Sequence, residues 1–534
     1  MRRPSKLMGL SLVAGSTVLL AACGGGATSG TGTGSGKAAG RSRQGGTVTF
    51  LTNGLGSTWS RGLDAASAGV AATNYLSAIY GQLFQLGPGG EVNPDLATGD
   101  TFSDHGRTVT ITLRRDVKFQ DGTPFNADAV AWNFRRDLKT PCSCSPSGSW
   151  PPLSSRGITA PDDHTVVLHF KRPYAAFIPS LMASSANHIA SPTAVKKLGE
   201  KKFRQRPVGA GPFEVVSDVV SSKLELKRYS GYWKEGHPYL DKLTFKSIGG
   251  DQAAYQAILA GQAQATALST PSLIRQADQN GRLTVSPPKA TSVYVIQLNT
   301  AVPPFDDKRA RAAIYYATNA KTITTHLFHG VYPVTQSFTG PGGLFSMPEV
   351  PGYRTHDLAK AKRLVRQLGG LEVDLFGDQG LISRQTTQAL QSQWAKAGIK
   401  TTIHAYALPR QIQVFKSEWQ AAFQPFGGRD PAIGTGLPFR FTSDAPYTGI
   451  HDKKLDRMVR QAATTLDKRQ RAKLYARIAK YMSDQAYAPF LFAYAPASVS
   501  AKGVHGPGIT VKTPASVGGA SISWDDAWIA EDAR

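Results

Sequence analysis

Hydrophobic and polar positions alternate along much of the first half of the chain. In "TVTITL", Val109, Ile111 and Leu113 fall on one side and threonines on the other. "HTVVLHF" does the same with Val166, Leu168 and Phe170, and "KLELK" with Leu224 and Leu226. A period of two predicts half-buried strands. Further along, the period lengthens. "DLAKAKRLVRQLGG" places Leu358, Ala361, Leu364, Val365 and Leu368 on one helical face, with Asp357 as N-cap and Gly369 as stop. "DKRQRAKLYARIAKYM" begins at Asp467 with Gln470 three residues later, a capping-box pattern, and continues with Leu474, Ile478 and Met482. Between these helices come a strand ("LEVDLF"), a helix ("SRQTTQALQSQWAKAG") and a strand ("IKTTIHAY"). Such alternation predicts an α/β layer structure in the second half and a more mixed, strand-rich first half.

One apolar run stands apart. Arg2, Arg3 and Lys6 precede Leu7 to Leu20, which carries no charge. About 14 residues are too few to span a bilayer but suit the middle of a secretory leader. The run ends in Leu20-Ala21-Ala22-Cys23, which resembles the bacterial lipobox. That implies cleavage after residue 22 and a diacylglyceryl thioether on Cys23, whose two acyl chains give stable anchoring. Residues 23–44 are rich in Gly, Ser and Thr and read as a flexible tether.

Losing Arg2, Arg3 and Lys6 with the leader lowers the formal charge from +24 to +21. The cations are dispersed, with no basic block interleaved with aromatics. Together with export, this points to anionic envelope polymers rather than nucleic acid. Cys142 and Cys144 lie in the loop "TPCSCSPSGSWPP". Export permits a disulfide, yet a C-x-C ring is strained, so bridge and free thiols both fit. His326 and His329, three apart, lack a third ligand, and His164 and His169 point to opposite faces, so no metal or other cofactor is expected. No G-x-S-x-G elbow, P-loop or H-E-x-x-H is present, so no enzymatic activity is expected.

Longer motifs carry a resemblance. "IYGQLFQLGPGGEVNPDLATG" and "TVTITLRRDVKFQDGTPFNADAVAWNF" are followed by "GAGPFEV", "YSGYWKEGHPYLDKLTF" and "LNTAVPPFDDKRARAAIYYATN". In this order they resemble the family-five solute-binding proteins of ABC importers, the dipeptide, oligopeptide and nickel group, from Gly45 to about Gly506. The turn formers among them, Asp121-Gly122 and Gly211-Pro212, read as scaffold rather than ligand contacts.

The resemblance implies a two-lobed, periplasmic-binding-protein-like α/β fold with an extra subdomain inserted in the first lobe. Residues 45–80, 207–299 and 497–534 would form the first lobe, 81–206 the insert and 300–496 the second lobe. It implies a monomeric extracytoplasmic receptor, held on the cell membrane through Cys23, that captures peptides between lobes closing on a hinge. It also implies ABC permease subunits and their ATPases as partners. A non-peptide solute such as an oligosaccharide, metal chelate or secondary metabolite is the alternative. An exported enzyme or wall-interaction protein on the same fold is a third reading, disfavoured because no catalytic constellation is found.

Peptide-binding members pair ligand backbone with a first-lobe strand, which here corresponds to Ala68, Gly69 and Val70, residues that also suit a plain loop. They hold the ligand's amine on a second-lobe carboxylate ahead of a D-P or E-P pair. In "EWQAAFQPFGGRDPAIG", Asp430-Pro431 matches that pair. Counting back places Gln424 where the family has Trp, and Gly427 where it has the carboxylate. Asp430 is then a substitute amine contact, and Arg429 beside it either neutralises it, meets a ligand carboxylate or phosphate, or lies at the surface. Gln424, Pro425, Phe426 and Trp419 complete the expected pocket, with Trp419 fitting either ligand stacking or core. Both Asp430→Ala and Arg429→Ala are expected to weaken binding without changing ligand-free stability.

Overall fold

The computed structural model describes residues 44–53, 62–68, 72–139, 153–287, 289–417, 419–433, 436–445, 448–516 and 519–533. The leader, Cys23, the tether up to residue 43, Gly69, Val70, Cys142 and Cys144 lie outside them. No helix among the described residues is long and apolar enough to cross a membrane.

Two sheets organise the body. The first has seven strands in the order Leu283–Ser286, Ala497–Ala501, Ala265–Leu268, Thr47–Asn53, Lys242–Ile248, Lys223–Arg228 and Phe213–Val219. Thr47–Asn53 runs parallel to both neighbours, with Phe50 opposite Phe245. These two rings meet Trp524 edge-on, at centroid distances of 5.6 and 5.3 Å.

The second sheet has five strands in the order Ile399–Tyr406, Leu371–Asp378, Ala421–Phe426, Ser292–Leu298 and Phe490–Tyr494. Every residue of Ser292–Leu298 is buried, because apolar clusters cover both faces of the sheet. The helices expected here form as Leu358–Gln367, Leu381–Ala395 and Lys468–Gln485. Asp357 and Asp467 cap the first and last, accepting from the Lys360 and Gln470 amides.

The chain passes between sheets twice, after Ser286 and after Tyr494. The first crossing therefore precedes Ser292, whereas the sequence placed the boundary between 299 and 300. An all-buried strand has no alternation to mark the change of lobe.

The insert carries a four-stranded sheet, Ala97–Ser103, Thr108–Leu113, Thr165–His169 and Ile158–Asp162. Its alternating positions Val109, Ile111, Val166 and Leu168 are fully buried under the helix Ala127–Asp137. Gln120 fastens this unit to the first lobe. Its Nε2 donates to the carbonyls of Ile79, Gly211 and Phe213, and its Oε1 accepts from the Gly209 amide. Gly209 and Gly211 are needed for that approach: a Cβ on either would fall 2.4–2.5 Å from the backbone of Tyr80 or Gly81. The most specific sequence motifs thus hold the scaffold together.

Candidate functional site

The second-lobe strand Ala421–Phe426 runs parallel to Leu371–Asp378 and ends in the loop Gly427–Ile433. Ligands of open α/β sheets bind beyond such carboxyl ends. The loop reaches the other lobe: Ala432 and Ile433 are buried in the apolar cluster that forms the insert's core. The lobes also touch where the Ala175 amide donates to the Ala463 carbonyl at 3.0 Å, and where the Tyr332 hydroxyl donates to the Ser269 carbonyl at 2.5 Å.

The predicted residues divide sharply. Trp419 packs edge-on against Phe415 and Phe376, at 5.2 and 6.1 Å, and is core. Phe426 is likewise buried against Phe441 at 5.0 Å. Gln424 is buried and donates from Nε2 to Gln411 Oε1 at 3.0 Å, while Pro425 is half-buried on the strand. Ala68 lies in a turn, its amide donating to the Asp64 carbonyl at 2.8 Å and its side chain in the first-lobe core. It therefore departs from the extended pairing strand expected of it. Gly69 and Val70 fall outside the described residues.

Asp430 differs most from its expected part. It is fully buried, and Arg471 Nη2 lies 2.8 and 2.9 Å from its two oxygens. Its Oδ1 also accepts from the Ala432 amide at 2.9 Å. Arg471 is completed by the Ala462 carbonyl at 3.1 Å, the Tyr475 hydroxyl at 3.3 Å and the Phe345 ring at 4.9 Å. Burial works against this guanidinium's charge, but Asp430 and Tyr475 outweigh it and hold its pKa above the ordinary value. Asp430 is thus a structural anchor of the loop, already neutralised by Arg471 rather than by Arg429.

The sequence signal for Arg471 was present. It falls on the apolar stripe with Leu474, Tyr475 and Ile478, where a charge needs a buried partner. The aromatic group at the lobe contact had no such signal. Tyr294 stacks on Phe423 at 4.8 Å, and Tyr332 meets Tyr494 at 5.1 Å.

Arg429 is only 7% exposed, not a surface residue. Its Nε and Nη1 are fully shielded and have no hydrogen-bond partner among the described residues. Burial lowers its pKa to about 10, with Asp430 and Glu91 partly offsetting that effect. Gly427, two residues earlier, has φ +93°, and a Cβ there would fall 2.9 Å from the Phe338 carbonyl oxygen. The loop therefore presents one unsatisfied buried cation next to backbone without side chains.

Known proteins place this architecture. The chain is 28% identical over 425 residues to the glutathione-binding protein GsiB of Salmonella choleraesuis (strain SC-B67), covering 74% of this chain and 80% of that one. Its fold matches the periplasmic binding protein DppA of Helicobacter pylori, solved with the peptide STSA, at TM-score 0.71 and 21% identity over 92% and 99% of the two chains. It matches AgaA of A. tumefaciens R10, solved with agropinic acid, at TM-score 0.71 and 21% identity over 91% and 99%. The model of the bacterial extracellular solute-binding proteins, family 5, matches residues 91–445. With most of the body covered by that match, the chain belongs to family 5 of the bacterial extracellular solute-binding proteins, the extracytoplasmic substrate-binding components of ABC importers.

Proposed function

We propose that this protein is a monomeric receptor, anchored to the cell membrane by a lipid on Cys23, that captures peptides between its lobes and delivers them to an ABC permease and its ATPases. The observation that supports it most is the loop Gly427–Ile433, which leaves the carboxyl end of a second-lobe strand and enters the insert's core. A solute held there contacts both lobes, and its greater affinity for the closed form shifts the population toward the state that docks. The glutathione-binding relative and the peptide-bound DppA favour small peptides as cargo.

A second reading, a non-peptide acid, is favoured by one feature. Glycine stands at position 427, where the family resemblance implies an amine-binding carboxylate, and AgaA shows the same fold with agropinic acid.

Native mass spectrometry of the chain, extracted gently in detergent from cells grown in rich medium, tests both the anchor and the cargo. A covalent diacylglyceryl mass on Cys23 and a dissociable set of peptide masses are expected. An unmodified N-terminus would sink the anchor, and a single non-peptide mass would replace peptides by the second reading.

A further inference from the structure

Resting on the reading of a ligand site between the lobes, we infer that this site receives an anionic group of its solute, a carboxylate or phosphate, on the guanidinium of Arg429. The site thereby exchanges the charge it recognises: an arginine for an anion in place of a carboxylate for an ammonium.

Three observations carry this. Arg429 is 93% buried, and its Nε and Nη1 donate to nothing among the described residues. Leaving charged donors dry and unpaired is costly, so a site retaining them is suited to a partner that arrives from outside. A planar guanidinium matches two anionic oxygens best of all side chains.

Neither internal carboxylate forms an ion pair or hydrogen bond with Arg429. Asp430 is held by Arg471 and the Ala432 amide. Glu91, on the exposed end of the hairpin Phe84–Leu86/Val92–Pro94, folds back over its own turn. A Cβ on Gly87 or Gly89 would lie 2.0 or 2.6 Å from its carboxylate oxygens. It contributes only long-range attraction to Arg429.

Position supplies the third observation. Arg429 follows Gly427 and Gly428 at the carboxyl end of Ala421–Phe426, in the loop that bridges the lobes. A side chain at 427 would press on the Phe338 carbonyl, so the backbone itself resists a carboxylate there. An ammonium arriving at this loop meets an unpaired cation.

The test uses the full mature chain with Arg429→Gln, Arg429→Lys and Glu91→Gln. Acetate and phosphate, compared with chloride at equal ionic strength, are expected to raise the native melting temperature. Arg429→Gln should abolish that increment and Arg429→Lys should keep part of it. Glu91→Gln should enlarge it by removing a competing anion. Ligand-free Arg429→Gln should melt no lower than the native chain, because it loses no internal bond. No increment dependent on Arg429 from either anion would overturn the site.

Mixed tripeptides then separate this inference from the peptide reading. N-acetylated tripeptides with free carboxylates should bind ten- to a hundredfold more tightly than tripeptide amides with free amines, and Arg429→Gln should erase the difference. Amides binding as well as acids, unaffected by Arg429→Gln, would overturn the charge exchange. Acetate and phosphate acting through Arg429 while no tripeptide binds would support the anion site and remove peptides as its cargo.

Discussion

Arg471 and Arg429 are buried to nearly the same degree, 4% and 7% exposed, and both belong to the surroundings of one loop. Arg471 faces both oxygens of Asp430, a carbonyl, a hydroxyl and an aromatic ring. Arg429 has two shielded donors without a partner among the described residues. The contrast separates what holds the loop from what the loop is free to bind. Burial alone would have assigned both arginines the same part. Satisfaction of their donors assigns them opposite parts, although Asp430 and Arg429 are adjacent in sequence.

The largest expected effect breaks the satisfied member. Asp430→Ala leaves Arg471 charged, dry and unpaired, which costs about 3–5 kcal/mol of stability. Urea denaturation of the ligand-free chain should show that loss. The paired replacement Asp430→Leu/Arg471→Met should recover most of it, since apolar residues of similar volume can replace a buried ion pair. A single variant as stable as the native chain would show that the pair does not anchor the loop. The sequence alone suggested the opposite, that Asp430→Ala would spare stability. It showed the D-P motif but not the partner 41 residues later that makes the aspartate structural.

Much of the scaffold was legible for a simple reason. Period-two and helical patterns report burial on one face, and Val109, Ile111, Val166, Leu168, Leu474 and Ile478 are buried as their spacing implies. Capping aspartates act within three residues of their targets, so Asp357 and Asp467 were readable locally. What failed was long-range. Ser292–Leu298 is buried on both faces, so nothing in its pattern marks the crossing between lobes. Trp419 left core and ligand surface undecided and Phe426 read as ligand surface, until Phe376, Phe415 and Phe441 came beside them in space. Ala68 was placed by the likeness of the segment before "NYLSAIYGQLF", and in the fold its amide bonds back to the Asp64 carbonyl.

A smaller effect sharpens the contrast from the unsatisfied side. Gly427→Asp returns a carboxylate to the position the family resemblance implies. The φ of +93° and the Phe338 carbonyl at 2.9 Å from the new Cβ both oppose it. Such strain costs about 1–3 kcal/mol. The variant should lose roughly that stability, and its carboxylate should also blunt any effect of acetate or phosphate on melting by competing for Arg429. Unchanged stability would mean that the loop adapts easily and that glycine here is not imposed by the backbone.

Asp137 shows a third way to bury an ionisable group, by neutralising it. It lies 5% exposed beside the pair formed by Arg136 and Asp64, whose closest atoms are 2.5 Å apart. Burial pushes its pKa up to about 7, Asp64 adds to the rise and Arg136 opposes it. Its effect should be smallest near pH 4, where the group takes up a proton instead of staying charged and dry, and should grow with pH. The unfolded chain releases that proton near pH 3.8, the folded chain only near 7. Between these values the folded state binds more protons, so this group's contribution to stability falls as pH rises from about 4 to about 7 and is level above. His188 slopes the other way: burial lowers its pKa to about 4, so its contribution is lost as pH falls from about 6.5 toward 4. The raw pH curve therefore mixes opposing terms, and the useful quantity is the difference between variant and native chain. Asp137→Asn should gain stability over the native chain progressively from pH 4 to 7 and hold a constant advantage at pH 8. A difference that does not change with pH would mean that Asp137 stays ionised in the fold, with Arg136 as a partner as binding as Arg471 is to Asp430.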